Sequence, residues 1–108
     1  MSAPRDCQLL GRWRIVEADL WHRDYLDLAQ PAYIKFGANG RGEFAFGAVH
    51  ATMDLEYGRR IVCFTCAGFD EGDEFHGSGS AELDDDGTLE IELSFDLGDD
   101  AMLKARRA

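Results

Sequence analysis

The chain has 108 residues, of which 45% are hydrophobic, 11% aromatic and 30% charged, a length and composition that predict one folded domain and exclude a disordered chain. Twenty-one acidic residues against 11 basic ones give a net charge of -10, so we expect no nucleic-acid partner and no anionic membrane partner. No apolar run approaches the roughly 20 residues that a membrane-spanning helix needs.

Strand-like runs recur about every dozen residues and are separated by clusters of Gly, Asp and Asn. This spacing is typical of all-β proteins. The run at 88–95 is the clearest, because Leu89, Ile91 and Leu93 alternate with polar residues and so mark one core face. We predict a small antiparallel meander barrel or strongly curled sheet, a single β-barrel domain over residues 1–108. The predicted runs are 9–18, 32–36, 43–57, 60–68, 74–83, 88–95 and 101–107.

Two segments depart from the simple strand pattern. Residues 20–30 favour one short helix between the first two strands, which Pro31 would end. Residues 43–57 are too long for one ordinary strand, and their apolar register changes at Gly47. Gly47 is either a β-bulge within one strand or the start of a type II′ turn between two. We slightly favour the bulge, and the count is seven or eight strands.

The motif Gly11-Arg12-Trp13 opens the first run, and Arg106 and Arg107 end the last one. This pattern resembles the calycin signature of lipocalins and their relatives, which implies a barrel in which an arginine of the last strand packs across the tryptophan of the first. Either Arg106 or Arg107 would take that role. The chain also resembles a group of small bacterial proteins of unassigned function, through W-R-I, Y-I-K-F, G-E-F-A-F-G and the L-G-D-D loop; this resemblance implies no activity.

Two features predict what fills the interior. Strand alternation places Glu17 on the same face as Trp13 and Ile15, so we expect an inward carboxylate with a partner or at a barrel mouth. Alternation also lines the core with Gly77 and Gly79. These glycines leave space for a bulky aromatic neighbour or for a ligand.

The residues that could carry catalysis or bind metal form no recognisable motif. Cys63 and Cys66 form a C-x-x-C, but on a strand they face opposite sides, so we expect buried structural thiols rather than a zinc or redox site. The three histidines lack metal-ligand spacing. We therefore expect no cofactor and no metal. The odd cysteine count and an N-terminus without a signal-like apolar segment favour the cytoplasm.

Charge and topology together predict two different ends. Hairpin loops of a meander alternate between ends, so the acidic loops at 69–73 and 97–100 should share one end. The loops at 57–60 and 84–87 should share the other, where Arg59 and Arg60 can face Asp84, Asp85 and Asp86. We expect the acidic end to be a solvated rim rather than a calcium site.

The leading functional hypothesis is non-enzymatic binding of a small, partly apolar ligand in the barrel interior. Its candidate contacts are Trp13, Glu17, Trp21, Tyr25 and Tyr57. One alternative is a homodimeric protein-interaction module with an acidic surface; another is an enzyme that uses Glu17 as acid or base. An internal cavity above roughly 300 Å³ would favour the first and third hypotheses. A filled core with an exposed apolar patch would favour the second.

Overall fold

The computed structural model describes residues 7–19, 23–27, 30–96, 98 and 100–107. Its strands form one closed antiparallel barrel in which each strand pairs with its chain neighbours and the last pairs with the first. The all-β meander barrel is therefore confirmed, with eight strands. They are β1 (Gly11–Ala18), β2 (Tyr33–Phe36), β3 (Arg41–Phe46), β4 (Val49–Tyr57), β5 (Ile61–Asp70), β6 (Asp73–Leu83), β7 (Leu89–Phe95) and β8 (Asp100–Arg107).

A single turn of helix, α1 (Arg23–Leu26), lies between β1 and β2 in the chain. The flanking residues 20–22 and 28–29 lie outside the described residues. No helix in the described part of the chain is long and apolar enough to cross a bilayer.

The register change at Gly47 is a turn, so our preference for a bulge was wrong. Phe46 pairs with Val49, which leaves Gly47 and Ala48 as a two-residue hairpin loop. Gly47 has φ +57°, whereas Ala48 has a negative φ. A positive φ at the first loop position alone is the mark of a type II′ turn, whose twist suits a tight hairpin. The turn makes the strand count even, which lets β8 close antiparallel on β1.

The meander gives the barrel two ends. The upper end carries the turns at 47–48 and 71–72 and the β7–β8 loop; the lower end carries the loops at 37–40, 58–60 and 84–88. The loops at 69–73 and 97–100 thus share the upper end, as predicted, although Leu97 and Asp99 lie outside the described residues. At the lower end a nitrogen of Arg60 lies 3.3 Å from a carboxylate oxygen of Asp85, which confirms the predicted charge pairing for Arg60.

Candidate functional site

The centre of the barrel is full. The central cavity is only about 10 Å³, which is at the lower limit for one water molecule. Small-molecule sites are usually about 300–1,000 Å³. The interior as described therefore has no room for a ligand of the predicted kind. The cavity is lined by Ile15, Ile34, Phe44, Phe46, Phe64, Ile91, Leu93 and Leu103.

The two predicted core glycines leave their space to side chains of β5, Gly79 to Phe64 and Gly77 to Cys66. Gly79 pairs with Phe64 across β5 and β6, and a Cβ added at Gly79 would lie 2.8 Å from the ring of Phe64 and 2.0 Å from the carbonyl oxygen of Glu92. Phe64 in turn packs against Phe44, with ring centroids 6.5 Å apart. The interior glycines thus make room for a side chain of the protein itself, which was one of the two predicted outcomes.

The lower end is closed by the N-terminal segment, Trp13 and Arg107. Trp13 is 2% exposed, and Leu9 is completely buried. The indole Nε1 of Trp13 donates a hydrogen bond to the carbonyl oxygen of Leu9 at 2.9 Å. The guanidinium carbon of Arg107 lies 4.0 Å from the indole ring centroid, and its two terminal nitrogens donate to the carbonyl oxygens of Leu10 at 2.5 Å and Gln8 at 2.8 Å.

This arrangement decides which arginine meets Trp13. Arg107 stacks on the indole, whereas the exposed Arg106 is the cross-strand neighbour of Arg14 on the outside of the barrel. Arg107 therefore joins β8 to the segment that precedes β1, through Trp13 and the carbonyl oxygens of Gln8 and Leu10. The closed eight-stranded barrel is consistent with the calycin-like arrangement that the sequence resembles. In this protein Trp13 lies in a structural seal rather than on an open ligand surface.

At the upper end, Tyr25 and Leu26 of α1 lie against the β3–β4 turn. Leu26 is 1% exposed, and its carbonyl oxygen accepts a hydrogen bond from Gly47 N at 2.8 Å. The backbone N–H of Ala48 donates to the hydroxyl of Tyr25 at 3.4 Å. A Cβ at Gly47 would come within 2.1 Å of the Tyr25 ring, so the turn needs glycine for space as well as for φ. Tyr25 thus packs on a turn at the barrel end.

Tyr57 holds the β2–β3 loop at the lower end. Its hydroxyl accepts a hydrogen bond from Gly40 N at 2.8 Å and donates one to the carbonyl oxygen of Gly37 at 2.5 Å. Both capacities of the hydroxyl are therefore used within the loop. Trp21, another candidate contact, lies outside the described residues.

Glu17 is exposed, so its predicted inward position was wrong. The cause is a β-bulge: Ile15 pairs with Ala105 and Glu17 pairs with Lys104, which leaves Val16 as one extra residue on β1. An extra residue reverses the alternation that follows it. Glu17 therefore points outward opposite Lys104. The candidate contacts described by the structure are divided between the two barrel ends and the outside, and they form no common pocket.

The outer face of β5 differs from the rest of the surface. It consists of five exposed side chains, none of them charged: Ile61, Cys63, Thr65, Ala67 and Phe69, which we call the β5 face. In the part of the chain that the structure describes, every other strand carries at least one exposed charged side chain. Ile61 and Phe69 are 39% and 51% exposed. The β5 face is thus an uncharged stripe on a protein of net charge -10.

A shallow depression of about 400 Å³ lies across the middle of this stripe. It forms where the short side chains of Thr65, Ala67 and Ser78 lie between the longer ones of Asp54 and His76. Phe69 stands two residues further along β5, at the upper edge of the depression. A protruding aromatic ring and a recess therefore lie side by side on one strand.

The two cysteines of the C-x-x-C face opposite sides of β5, as predicted. Cys66 points inward and is 5% exposed, whereas Cys63 is exposed, so the expectation of a buried thiol was wrong for Cys63. Burial raises the pKa of the Cys66 thiol to about 11, and the nearby Asp96 carboxylate adds to the effect. Within the described residues, no three His, Cys, Asp or Glu side chains form a group that could hold a metal ion.

Comparison with protein-family models finds no match for this chain, and comparison with curated proteins finds none either.

Proposed function

We propose that this protein is a non-enzymatic protein-interaction module that binds its partner through the β5 face. The observation that carries the proposal is the contrast between a filled interior and an exposed, uncharged stripe. The interior leaves about 10 Å³, while two of the three exposed large apolar side chains of the described residues lie on β5. They stand at its two ends, and the uncharged surface between them resembles the centre of a protein–protein interface, where charged residues are depleted.

The composition of the β5 face also supports binding to another protein. Its residues are short in the middle and large at the ends, and they lie on a strand held on both sides by full ladders to β4 and β6. Such a surface is rigid, so binding would order few side chains and lose little entropy. Charged residues are generally depleted at the centre of interfaces. The neighbouring strands supply the polar rim, through Asp54, Glu56 and Glu82.

The ligand and enzyme hypotheses have less support in this geometry. A ligand in the interior would have to displace core side chains such as Phe64. Glu17 is exposed opposite Lys104, in a shallow depression on the outside of the barrel that Trp13, Tyr25 and Tyr57 do not line, so the predicted acid or base does not share a site with these aromatic candidates.

Site-specific photocrosslinking in cells that make the protein tests the proposal. A photoreactive residue at Thr65, on the β5 face, should form covalent adducts with protein. The same residue at Glu92, which is exposed on β7, is the matched control and should not. Absence of protein adducts from Thr65, or equal adducts from both positions, would contradict the proposal.

A further inference from the structure

We propose that the partner on the β5 face is a second copy of this chain, with Phe69 of each copy seated in the depression of the other. This inference rests on the proposed function and deepens it. The arrangement is a two-fold dimer in which the β5 strands stack face to face and run antiparallel, with the axis at the level of Ala67.

The shape of the β5 face supports this pairing. A two-fold interface uses the same patch on both subunits, so a projection and its recess must lie close together on one surface. Phe69 is 51% exposed, and the depression lies along β5 from Ala67 to Thr65. With the axis at Ala67, Phe69 of one copy lies over Thr65 of the other, and the second contact repeats the first. Each Phe69 ring is then removed from water and packs into the recess beside β5 of the other copy.

The polar side chains on β4 also match across this axis. His50 lies beside Phe69 and Asp54 lies beside Thr65 in the β4–β5 register. The two-fold operation therefore places His50 of one copy opposite Asp54 of the other, and Thr52 opposite its own equivalent. On β6, Glu74 comes opposite Ser78 by the same register. Across this axis no two acidic side chains of β4, β5 and β6 face each other, so repulsion at the centre is confined to Asp96, which lies beside His76 at the depression and comes opposite its own equivalent.

Other two-fold positions match less well. If the axis passed at Thr65 instead, Asp54 would face Asp54 of the other copy, and Glu74 would face Glu82. Like charges placed opposite each other are unfavourable. The register of the sheet therefore favours the axis at Ala67. A basic partner would instead be attracted to the acidic strands and loops, since the β5 face carries no charge for it to pair with.

The size of the contact predicts a weak dimer. A stripe of about nine residues and three strand widths covers about 400 Å² per copy. The total of about 800 Å² is below the range of about 1,200–2,000 Å² for stable interfaces. Acidic residues at the rim, such as Glu56 and Glu71, add repulsion that salt would screen. We therefore expect reversible association that strengthens as the salt concentration rises.

Sedimentation velocity of the purified full chain, from about 10 μM to about 1 mM, covers the range expected for a contact of this size. The wild-type protein should shift from monomer to dimer across it. Phe69→Ala should weaken association at least about tenfold, as loss of a central aromatic contact does. Met102→Ala is the control: Met102 is 39% exposed but lies on β8, so it should leave the dimer unchanged. A wild-type protein that stays monomeric throughout would overturn the inference.

Crosslinking with a short thiol-specific bifunctional reagent tests the position of the axis. In a Cys63→Ser background, Ala67→Cys places the two new thiols at the axis and should crosslink efficiently. The native Cys63 comes opposite Glu71 of the other copy and should crosslink poorly. Efficient crosslinking through Cys63 with none through the Ala67→Cys variant would overturn the arrangement.

The two proposals fail in different ways. A monomer in sedimentation, together with photocrosslinks from Thr65 to another protein, would overturn the second-copy inference and leave the interaction module in place. A monomer with no protein adducts from Thr65 would overturn both.

Discussion

Replacing Arg107 with alanine tests how the barrel is sealed at its lower end. The side chain makes three contacts that the substitution removes: it stacks on Trp13 at 4.0 Å and donates to the carbonyl oxygens of Leu10 and Gln8. An exposed cation–π contact contributes about 0.5–1 kcal/mol, and each exposed hydrogen bond about 0.5–1.5 kcal/mol. We therefore expect Arg107→Ala to lower the free energy of unfolding by about 2–3 kcal/mol. Arg107→Lys keeps the charge but loses the planar fork, so its effect should be about half as large.

The measurement is equilibrium urea unfolding, followed by far-UV circular dichroism, with Arg106→Ala as the matched control. Arg106 is the adjacent residue on β8 and is exposed, so its loss should change stability by no more than about 0.5 kcal/mol. In thermal melts the Arg107→Ala change corresponds to a fall of roughly 10–20 °C. Equal stability of the Arg107→Ala and Arg106→Ala variants would refute the idea that Arg107 ties the N-terminal segment to the barrel.

Four further changes test other parts of the structure. Trp13→Ala should cost about 3–5 kcal/mol in urea unfolding because the indole is buried; a loss below about 1 kcal/mol would contradict its core position. Gly79→Ala should lower the free energy of unfolding by about 1–3 kcal/mol or more, because the new methyl group meets a carbonyl oxygen and the Phe64 ring. An unchanged melting temperature would contradict this steric conflict. Tyr57→Phe should cost about 1–2 kcal/mol through its two hydrogen bonds to the β2–β3 loop, and a neutral effect in the same assay would contradict that role. The pKa of Cys66 is raised from 9.0 to about 11 in the folded protein, so its thiolate forms more readily in the unfolded chain. Wild-type stability should therefore fall from about pH 9 upward more steeply than that of Cys66→Ala, and parallel pH profiles would contradict this.

The alternation of apolar and polar residues predicted most of the strands, because it depends only on which side chains are buried in the core. As expected, the odd-numbered residues of β6 and β7 lie on the more buried face and the even-numbered residues on the more exposed face. Cys63 and Cys66 also point to opposite sides of β5, as expected. The same rule failed at Glu17. A bulge depends on how β1 fits against β8, which lies about 90 residues away in the chain. Local periodicity carries no signal for that extra residue.

Gly47 and the filled interior show two further limits of sequence reasoning. A glycine between two apolar registers fits both a bulge and a turn, and only the pairing of Phe46 with Val49 decides between them. Glycines on the core face of β6 are compatible both with a cavity and with a bulky neighbour. Only the position of Phe64 on the adjacent strand shows which of the two is present. The β5 face could have been noticed from the sequence, because alternate residues from Ile61 to Phe69 include no charge.

Native mass spectrometry of the protein isolated from cells that make it tests most directly whether function lies on the outside of the barrel. We predict the mass of the chain without a bound small molecule, and a dimer population that grows with protein concentration and is lost in Phe69→Ala. A small molecule retained at one per chain and released on unfolding would contradict the filled interior and return function to the inside of the barrel.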